Sequence, residues 1–103
     1  MSSSRSLTFS ARAEDDLRRL LATSRVMWGE EQRDAYAKRL ATAMQELLLH
    51  PYLGRARDEL SPGLRGLRAG SHFIYYQSDE RTVRIVRVLH ERMDPSRHLR
   101  NHL

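Results

Sequence analysis

The sequence predicts an α+β domain in which an antiparallel hairpin of two helices packs on a mostly antiparallel sheet of four strands. Three observations lead to this prediction. A short strand-like segment comes first, two long segments of helical periodicity follow it, and three strand-like segments occupy most of the second half. Helices and strands that are segregated along a chain are typical of α+β proteins, in which the helices gather on one face of the sheet.

The length of 103 residues predicts a single domain that spans 1–103. Hydrophobic residues make up 40% of the chain and charged residues 30%, a balance typical of a folded domain and not of a disordered tail. We expect the small polar residues 1–4 to be disordered. Residues 90–103 contain Pro95 and are expected to form a C-terminal arm.

The first half of the chain carries the patterns of the first strand and the helical hairpin. Apolar and polar side chains alternate over residues 5–10, which predicts the N-terminal strand. Ser10 is a favoured N-cap, and the apolar spacing after it predicts a helix over 11–26. A second apolar stripe predicts a helix over 30–49, which ends before Pro51 because proline cannot continue a helix.

Three strands are predicted in the second half, after an irregular connection over residues 50–63 that holds two prolines and two glycines. The strands are expected at 64–69, 72–77 and 82–89, and the second of them is rich in β-branched and aromatic residues. Apolar side chains fall on both faces of 82–89, which is typical of a central strand.

Aromatic residues at two places in the chain are expected either to pack in the core or to be displayed to a partner. Tyr75 and Tyr76 are neighbours in a predicted strand and therefore point to opposite faces. We expect one to pack under the helices, and the other either to be displayed for stacking on a base or to pack across strands. Trp28 joins the two helices as a hydrophobic plug or as a partner hot spot, and Gly29 supplies a permissive backbone.

The positive charge is concentrated in the second half. The net charge is +5, with ten Lys/Arg against nine Asp/Glu in residues 1–62 and eight against four in residues 63–103. A basic half indicates a polyanionic or acidic partner, either nucleic acid or an acidic protein segment. A solvated basic surface without a specific role is the alternative.

Cysteine usage and hydropathy limit the compartment and the chemistry. The chain has no cysteine, which excludes disulfides, thiolate nucleophiles and zinc–thiolate sites and fits a reducing compartment. Neither a secretory signal nor an apolar run long enough to cross a bilayer is visible. We therefore expect a soluble, cytoplasmic protein without a membrane partner.

Four arginines, Arg65, Arg68, Arg84 and Arg87, lie on neighbouring predicted strands. A paired sheet could bring them together into one basic surface. The guanidinium group matches two oxygens of a phosphate or a carboxylate, so such a surface would clamp an anion. The alternative is a solvated strand face whose charges guard the sheet edge.

Histidines near the ends of the last strands suggest two kinds of chemistry. His90, Asp94 and His98 are spaced like metal ligands on one helix face, but Pro95 interrupts such a helix. His72 and His90 are candidates for a general acid or base, with hydrogen bonding at the sheet end as the alternative. No phosphate-binding glycine loop and no zinc-finger spacing is present, so we expect no cofactor and no metal.

A series of short motifs runs along nearly the whole chain in a fixed order. They are Leu7-Thr8-Phe9-Ser10, Ala13, Asp15-Asp16-Leu17, Trp28-Gly29, Tyr36, Leu40, Pro51-x-x-Gly54-Arg55, Gly63-Leu64-Arg65, His72-Phe73-Ile74-Tyr75-Tyr76, Val86-Arg87-Val88-Leu89-His90-Glu91-Arg92-Met93-Asp94 and His98-Leu99. In this order and at this length they resemble the ParE toxins of bacterial toxin–antitoxin operons, within the RelE/ParE superfamily.

The resemblance implies a non-enzymatic toxin that inhibits DNA gyrase, blocks replication and arrests growth. It also implies a cognate antitoxin whose flexible C-terminal segment wraps the toxin, and such a segment is often acidic, which suits a basic face. DNA would be contacted only indirectly, through the DNA-binding domain of the antitoxin in the complex.

Within this resemblance, two sets of contact residues are expected. The antitoxin-binding residues are Trp28, Tyr36 and Leu40 on the helical hairpin. The gyrase-binding residues are Arg65, Arg68, His90, Arg92, Met93 and Asp94. A structural role is the alternative for several of these residues, above all for Met93 and Asp94. No catalytic residue is expected.

Two other functions stay open at this point. The RelE branch shares the fold and cuts messenger RNA on the ribosome. One RelE subgroup has an arginine where this chain has Phe73, and a His-Tyr pair where it has His90-Glu91, and both differences argue against a nuclease. The side chains that a nuclease could still use are Arg65, Arg68, Arg87 and His90. A degenerate toxin that only sequesters an antitoxin is the third possibility.

Overall fold

The N-terminal half of the computed structural model, which describes residues 5–99, forms one strand and a pair of long helices. Strand β1 spans Ser6–Phe9, helix α1 spans Ala11–Trp28 and helix α2 spans Glu30–Leu49. The Ser10 hydroxyl accepts a hydrogen bond from the Ala13 amide at 3.0 Å and donates one to the Val86 carbonyl oxygen at 2.7 Å. This N-cap therefore starts α1 and also ties the helix to the sheet.

The second half supplies the rest of the sheet and a short terminal helix. The elements are β2 (Arg55–Ala56), β3 (Arg65–Ala69), β4 (His72–Ser78), β5 (Thr82–His90) and α3 (Pro95–Leu99). The strand order is β1-β5-β4-β3-β2, with β1 parallel to β5 and the other pairs antiparallel. The α+β class, the helical hairpin and the mostly antiparallel sheet are confirmed. None of the helices within residues 5–99 is long and apolar enough to cross a bilayer.

Strand β5 lies between β1 and β4, so the predicted central strand is confirmed. Tyr75 pairs with Arg87 and Tyr76 pairs with Ile85, which leaves Val86 as an extra residue in a β-bulge. The bulge shifts the alternation of the strand. As a result Ile85 and Val88, which are three residues apart and would point to opposite faces of a regular strand, are buried in the same core.

The larger core, called the helix-side core, lies between the helical hairpin and one face of the sheet. Its buried side chains are Ala13, Leu40, Met44, Leu47, Ala69, Ile74, Tyr76, Val83, Ile85 and Val88. The Tyr76 hydroxyl donates to the Pro51 carbonyl oxygen and accepts from the Gly54 amide, both at 2.8 Å. These bonds satisfy a buried hydroxyl and fix the start of the irregular connection to the core.

The smaller core, called the arm-side core, lies on the opposite face of the sheet and is closed by α3. Its buried side chains are Leu64, Tyr75, Val86, Leu89 and Leu99, with Leu60 and Phe73 packed against them. The prediction that Tyr75 and Tyr76 point to opposite faces is confirmed, since they belong to different cores. The alternative in which one tyrosine is displayed is wrong, because the arm covers Tyr75 and leaves it 3% exposed.

Two boundaries differ from the sequence-based prediction in the regions before β3. Helix α1 extends to Trp28 instead of ending at residue 26, and the chain turns only at Gly29, whose φ of 93° favours glycine. The irregular connection contains β2, which pairs with β3 and makes the sheet five-stranded instead of four-stranded. A strand of two residues is too short to show a periodicity that sequence analysis could detect.

The predicted arm contains the helix α3, which the sequence pattern did not indicate. Oδ1 of Asp94 caps this helix by accepting from the amide and the hydroxyl of Ser96 at 3.1 and 2.8 Å. Pro95 occupies the first helical position, where its fixed φ and missing N–H favour the start of a helix. Residues 1–4, predicted to be disordered, and residues 100–103 lie outside the described part of the chain.

Candidate functional site

A groove of about 920 Å³ opens beside the helical hairpin, where α1, α2, β4, β5 and the arm meet. Its apolar lining comes from Leu20, Met27 and Trp28 of α1 and from Met93 of the arm. Met27 is 64% exposed and Trp28 is 70% exposed. Large apolar side chains that solvent reaches, grouped in a concave surface, are typical of a site that binds a partner.

The base of the groove is a polar cluster of Tyr36, His72 and His90. The Tyr36 hydroxyl lies 2.6 Å from Nδ1 of His72 and 3.2 Å from the Ala69 carbonyl oxygen, and it accepts from the Ser71 amide at 3.0 Å. His72 and His90 are register partners whose ring centres lie 5.2 Å apart in an edge-to-face arrangement. The cluster therefore links α2 to the ends of β4 and β5.

The turn between β3 and β4 explains how Tyr36 reaches this cluster. Gly70 has a φ of 63°, in the left-handed region that glycine adopts without steric cost. A Cβ atom at this position would lie 2.5 Å from the Tyr36 ring. Glycine therefore lets the tyrosine of α2 pack directly on the turn and hydrogen-bond to its backbone.

Burial lowers the pKa of His72 below the ordinary value for histidine, and the neighbouring His90 lowers this pKa further. Glu91 and Asp16 act in the opposite direction without cancelling the shift. His72 is consequently uncharged at neutral pH, and its contact with Tyr36 joins two neutral groups.

An ion pair between Asp16 and Arg87 forms another part of the lining. Nε and Nη2 of Arg87 donate to the two carboxylate oxygens of Asp16 at 2.8 and 2.9 Å. Asp16 also accepts from the Val88 amide at 3.0 Å, and Nη1 of Arg87 donates to the His98 carbonyl oxygen at 3.1 Å. The Arg87 and Asp16 side chains are only 12% and 14% exposed, so the pair is a compensated structural link between α1, β5 and α3.

The four strand arginines do not form one basic surface, so that interpretation is wrong. Arg65 stacks on Tyr52, with its guanidinium carbon 4.9 Å from the ring centre, and Arg68 pairs with Glu91. Arg65 and Arg68 are three residues apart on one strand and therefore point to opposite faces. Arg84 is exposed, and Arg87 is held in its ion pair with Asp16 of α1.

Of the predicted gyrase-binding residues, the structure brings His90 and Met93 together in the groove. Arg92 is exposed between them, and its amide donates to Nδ1 of His90 at 3.1 Å. Asp94 uses its carboxylate to cap α3, which is the structural role that the sequence left open. Arg65 and Arg68 of β3, which also belong to the predicted gyrase-binding set, do not line the groove.

Of the predicted antitoxin-binding residues, Trp28 and Tyr36 both line the groove. Leu40 is 2% exposed and packs in the helix-side core. The expectation for Leu40 is therefore wrong, because its position on the apolar stripe of α2 faces the sheet and leaves no surface for a partner.

Several groove residues were not singled out from the sequence. Arg19 and Met27 line the groove from α1, and the exposed apolar pair Val26 and Met27 beside Trp28 was a signal that could have located this wall. The ion pair had no local signal, because its two residues are 71 positions apart in the chain.

The spacing of His90, Asp94 and His98 does not create a metal site. Strand β5 ends at His90 and α3 begins at Pro95, so the three side chains do not share one helix face. Within residues 5–99, no group of three or more His, Asp or Glu side chains is placed to hold a metal ion.

Comparisons with known proteins agree with the resemblance. The family profile described as "ParE toxin of type II toxin-antitoxin system, parDE" matches residues 7–95. The chain is 45% identical over 73 residues to Toxin ParE1 of Mycobacterium tuberculosis strain H37Rv, covering 70% of this chain and 74% of that protein. It is 37% identical over 90 residues to Toxin ParE1 of Caulobacter vibrioides, covering 87% and 93%.

A solved structure titled "Chromosomal ParDE TA system from P. aeruginosa" is similar in fold. Its TM-score is 0.73 at 20% sequence identity, over 86% of this chain and 98% of that chain. At this identity the similarity concerns the arrangement of helices and strands alone.

Proposed function

We propose that this chain, which belongs to the ParE toxin family of type II toxin–antitoxin systems, inhibits DNA gyrase without catalysis and is neutralised by a cognate antitoxin. The family match over residues 7–95 carries the proposal, since it includes both long helices, strands β2 to β5 and all of β1 except Ser6. The groove supports it by supplying a concave surface for a protein partner.

The antitoxin is proposed to lay a flexible C-terminal segment in the groove. Met27 and Trp28 offer apolar surface, and Arg19, whose largely exposed side chain also contacts Asp15, adds a guanidinium group to the lining. An acidic segment with apolar side chains on one face would match both features and would order as it binds. The complex would contact DNA only through the antitoxin.

The proposed gyrase contacts are side chains of the groove, the arm and β3. They are Arg65, Arg68, His90, Arg92 and Met93. Arginine and aromatic side chains dominate many protein interfaces, and Arg65 already stacks on the exposed ring of Tyr52. Asp94 enters this proposal as the cap that holds the arm in place.

The two proposed surfaces overlap at His90 and Met93, which line the groove. An antitoxin segment seated there would cover both side chains. Neutralisation would then follow from direct competition, since gyrase and the antitoxin could not contact the same side chains at once.

The ribosome-dependent nuclease is less compatible with the partners of the arginines. Cleavage of a phosphodiester needs cationic groups that converge on the phosphate beside a general base. Arg87 is held in a nearly buried ion pair with Asp16, so its guanidinium is not left for a phosphate, and Arg68 already has Glu91 as a carboxylate partner.

Induced expression in a bacterial host tests the proposed target. DNA synthesis, followed by thymidine incorporation, should stop before protein synthesis, followed by methionine incorporation. The reverse order, with cut messenger RNA, would transfer the chain to the nuclease branch. Growth without arrest would instead identify a degenerate toxin.

A substitution in the groove tests the proposed antitoxin site. Trp28→Ser should weaken rescue by the antitoxin expressed from the same operon, measured as the ratio of growth with and without it. Leu49→Ser is the control, because Leu49 is similarly exposed, at 77% against 70% for Trp28, but lies outside the groove. Equal rescue of the two variants would contradict this site.

A further inference from the structure

In both histidines at the base of the groove, the ring nitrogen Nδ1 already makes a hydrogen bond within the protein. Nδ1 of His72 contacts the Tyr36 hydroxyl at 2.6 Å, and Nδ1 of His90 accepts from the Arg92 backbone amide at 3.1 Å. A backbone amide can only donate, so Nδ1 of His90 carries no proton. The N–H group of the His90 ring is therefore at Nε2.

The Tyr36 hydroxyl assigns the same tautomer to His72. This hydroxyl accepts from the Ser71 amide and has one proton to donate. Nδ1 of His72 is the nearer acceptor, at 2.6 Å against 3.2 Å for the Ala69 carbonyl oxygen. Donation to Nδ1 leaves the ring proton of His72 at Nε2, and the lowered pKa of His72, caused first by burial, favours this neutral ring.

Both Nε2 atoms are accessible to solvent, on residues that line the groove. His72 and His90 line it, and within residues 5–99 neither Nε2 atom has a hydrogen-bond partner. No side-chain nitrogen or oxygen in this part of the chain is buried without a partner, so solvent reaches both atoms. The groove thus presents two Nε2–H donors, and the hydrogen bonds made by Nδ1 set the tautomer of each ring.

We propose that the Nε2–H groups of His72 and His90 form a donor pair that binds a carboxylate of the segment seated in the groove. This inference rests on the proposed antitoxin docking and names the chemistry of its polar contact. A carboxylate gains most from such donors, because hydrogen bonds to a charged acceptor are the stronger ones. Asp16 does not oppose it, since Arg87 donates to both of its oxygens.

A metal ion does not fit the same two histidines. A ligating histidine offers the lone pair of one ring nitrogen and commonly donates through the other. At His72 and His90, Nδ1 is the accepting nitrogen and Nε2 carries the proton, so the ring nitrogens accessible to solvent are donors.

Histidine-detected NMR on the full-length, ¹⁵N-labelled chain at pH 7.5 tests the first step. Long-range ¹H–¹⁵N spectra should show the Nε2–H tautomer for both His72 and His90. Titration with acetate should then shift both Nε2 signals in a saturable way, with one dissociation constant, and leave His50 at the end of α2 unaffected. The Nδ1–H tautomer at either ring, or shifts shared by His50, would overturn the proposal.

Matched variants separate hydrogen-bond donation from a structural role. His90→Leu removes the donor and should weaken acetate binding about tenfold, the effect of losing one hydrogen bond to a charged group. His90→Gln keeps an N–H near the position of Nε2 and should retain most of the affinity. His50→Leu should bind acetate like the native chain. Equal loss in His90→Leu and His90→Gln would contradict donation.

Three further probes identify the source of the acceptor. A blocked peptide with one glutamate and a peptide with a free C-terminus carry the two carboxylates that a protein segment offers. Displacement of acetate by either supports the donor pair and says which carboxylate it takes. Displacement by a single-stranded DNA oligonucleotide alone would overturn it in favour of a phosphodiester site.

This test is independent of the proposed gyrase inhibition. Failure of acetate to bind a protein that inhibits gyrase would remove the donor pair alone. Acetate binding by a protein that leaves gyrase unaffected would remove the proposed function alone.

Discussion

The two faces of the sheet are closed by very different amounts of structure. The helix-side core lies under helices of 18 and 20 residues, whereas the arm-side core lies under one helix of five residues. The first face therefore has most of the buried apolar surface, and the second depends on a short segment held by a few specific contacts. This difference indicates that the arm can loosen while the rest of the fold persists.

The largest effect is expected at the Asp16–Arg87 ion pair, because it connects α1 on one face of the sheet with α3 on the other. Arg87→Leu should lower the free energy of unfolding by about 4 kcal/mol, because it leaves a nearly buried carboxylate without its partner. Urea denaturation measures this loss. Asp15→Ala is the control, since the ion pairs of Asp15 are exposed and contribute at most about 1 kcal/mol. Equal losses would contradict the structural role of the pair.

A cavity in the helix-side core should destabilise the whole molecule. Leu47 is fully buried, and Leu47→Ala should cost about 3 kcal/mol of unfolding free energy in one cooperative transition. Leu49→Ala on the same helix removes an exposed side chain and should change stability little. A transition in two steps for Leu47→Ala would contradict the view that this core holds the fold as a unit.

A cavity in the arm-side core should have a smaller and more local effect. Leu99 is 1% exposed, and Leu99→Ala should cost about 2 kcal/mol, near the low end for such changes, because α3 can shift. Limited trypsin digestion should cut after Arg92 and Arg97 of the arm well before it cuts after Arg84 of β5. Uniform cleavage at all three sites would mean that the two faces open together.

The smallest effect is expected at His72, a half-buried side chain at the groove end of the helix-side face. The folded pKa of His72 is below the ordinary value of 6.5, so the unfolded chain binds more protons in the window between the two values. Its contribution is present above about pH 6.5 and is lost as the pH falls through the folded pKa. His72→Gln should therefore flatten this part of the profile of unfolding free energy against pH.

The main elements of the fold could be predicted because their signals are local. Apolar periodicity located both long helices, and apolar residues on both faces of 82–89 identified the central strand. Strand β2 and helix α3 were missed because each is too short for a period, and Pro95 was interpreted as a break although it starts a helix.

The site could be predicted only in part. Trp28 and Tyr36 were found from their motif positions, but Leu40 was included although its stripe faces the core. The link between Asp16 and Arg87 and the tautomers of the histidines depend on contacts between distant segments. Sequence patterns report residue types and spacing, whereas the donor and acceptor of each hydrogen bond can be assigned only from the contacts in the folded chain.

Purified protein mixed with DNA gyrase and relaxed plasmid, beside a ribosome-programmed messenger cleavage assay, tests the proposed inhibition of gyrase. We expect loss of supercoiling, accumulation of cleaved plasmid DNA and intact messenger. Unaffected gyrase together with cut messenger would contradict the proposed inhibition and would assign the chain a nuclease activity.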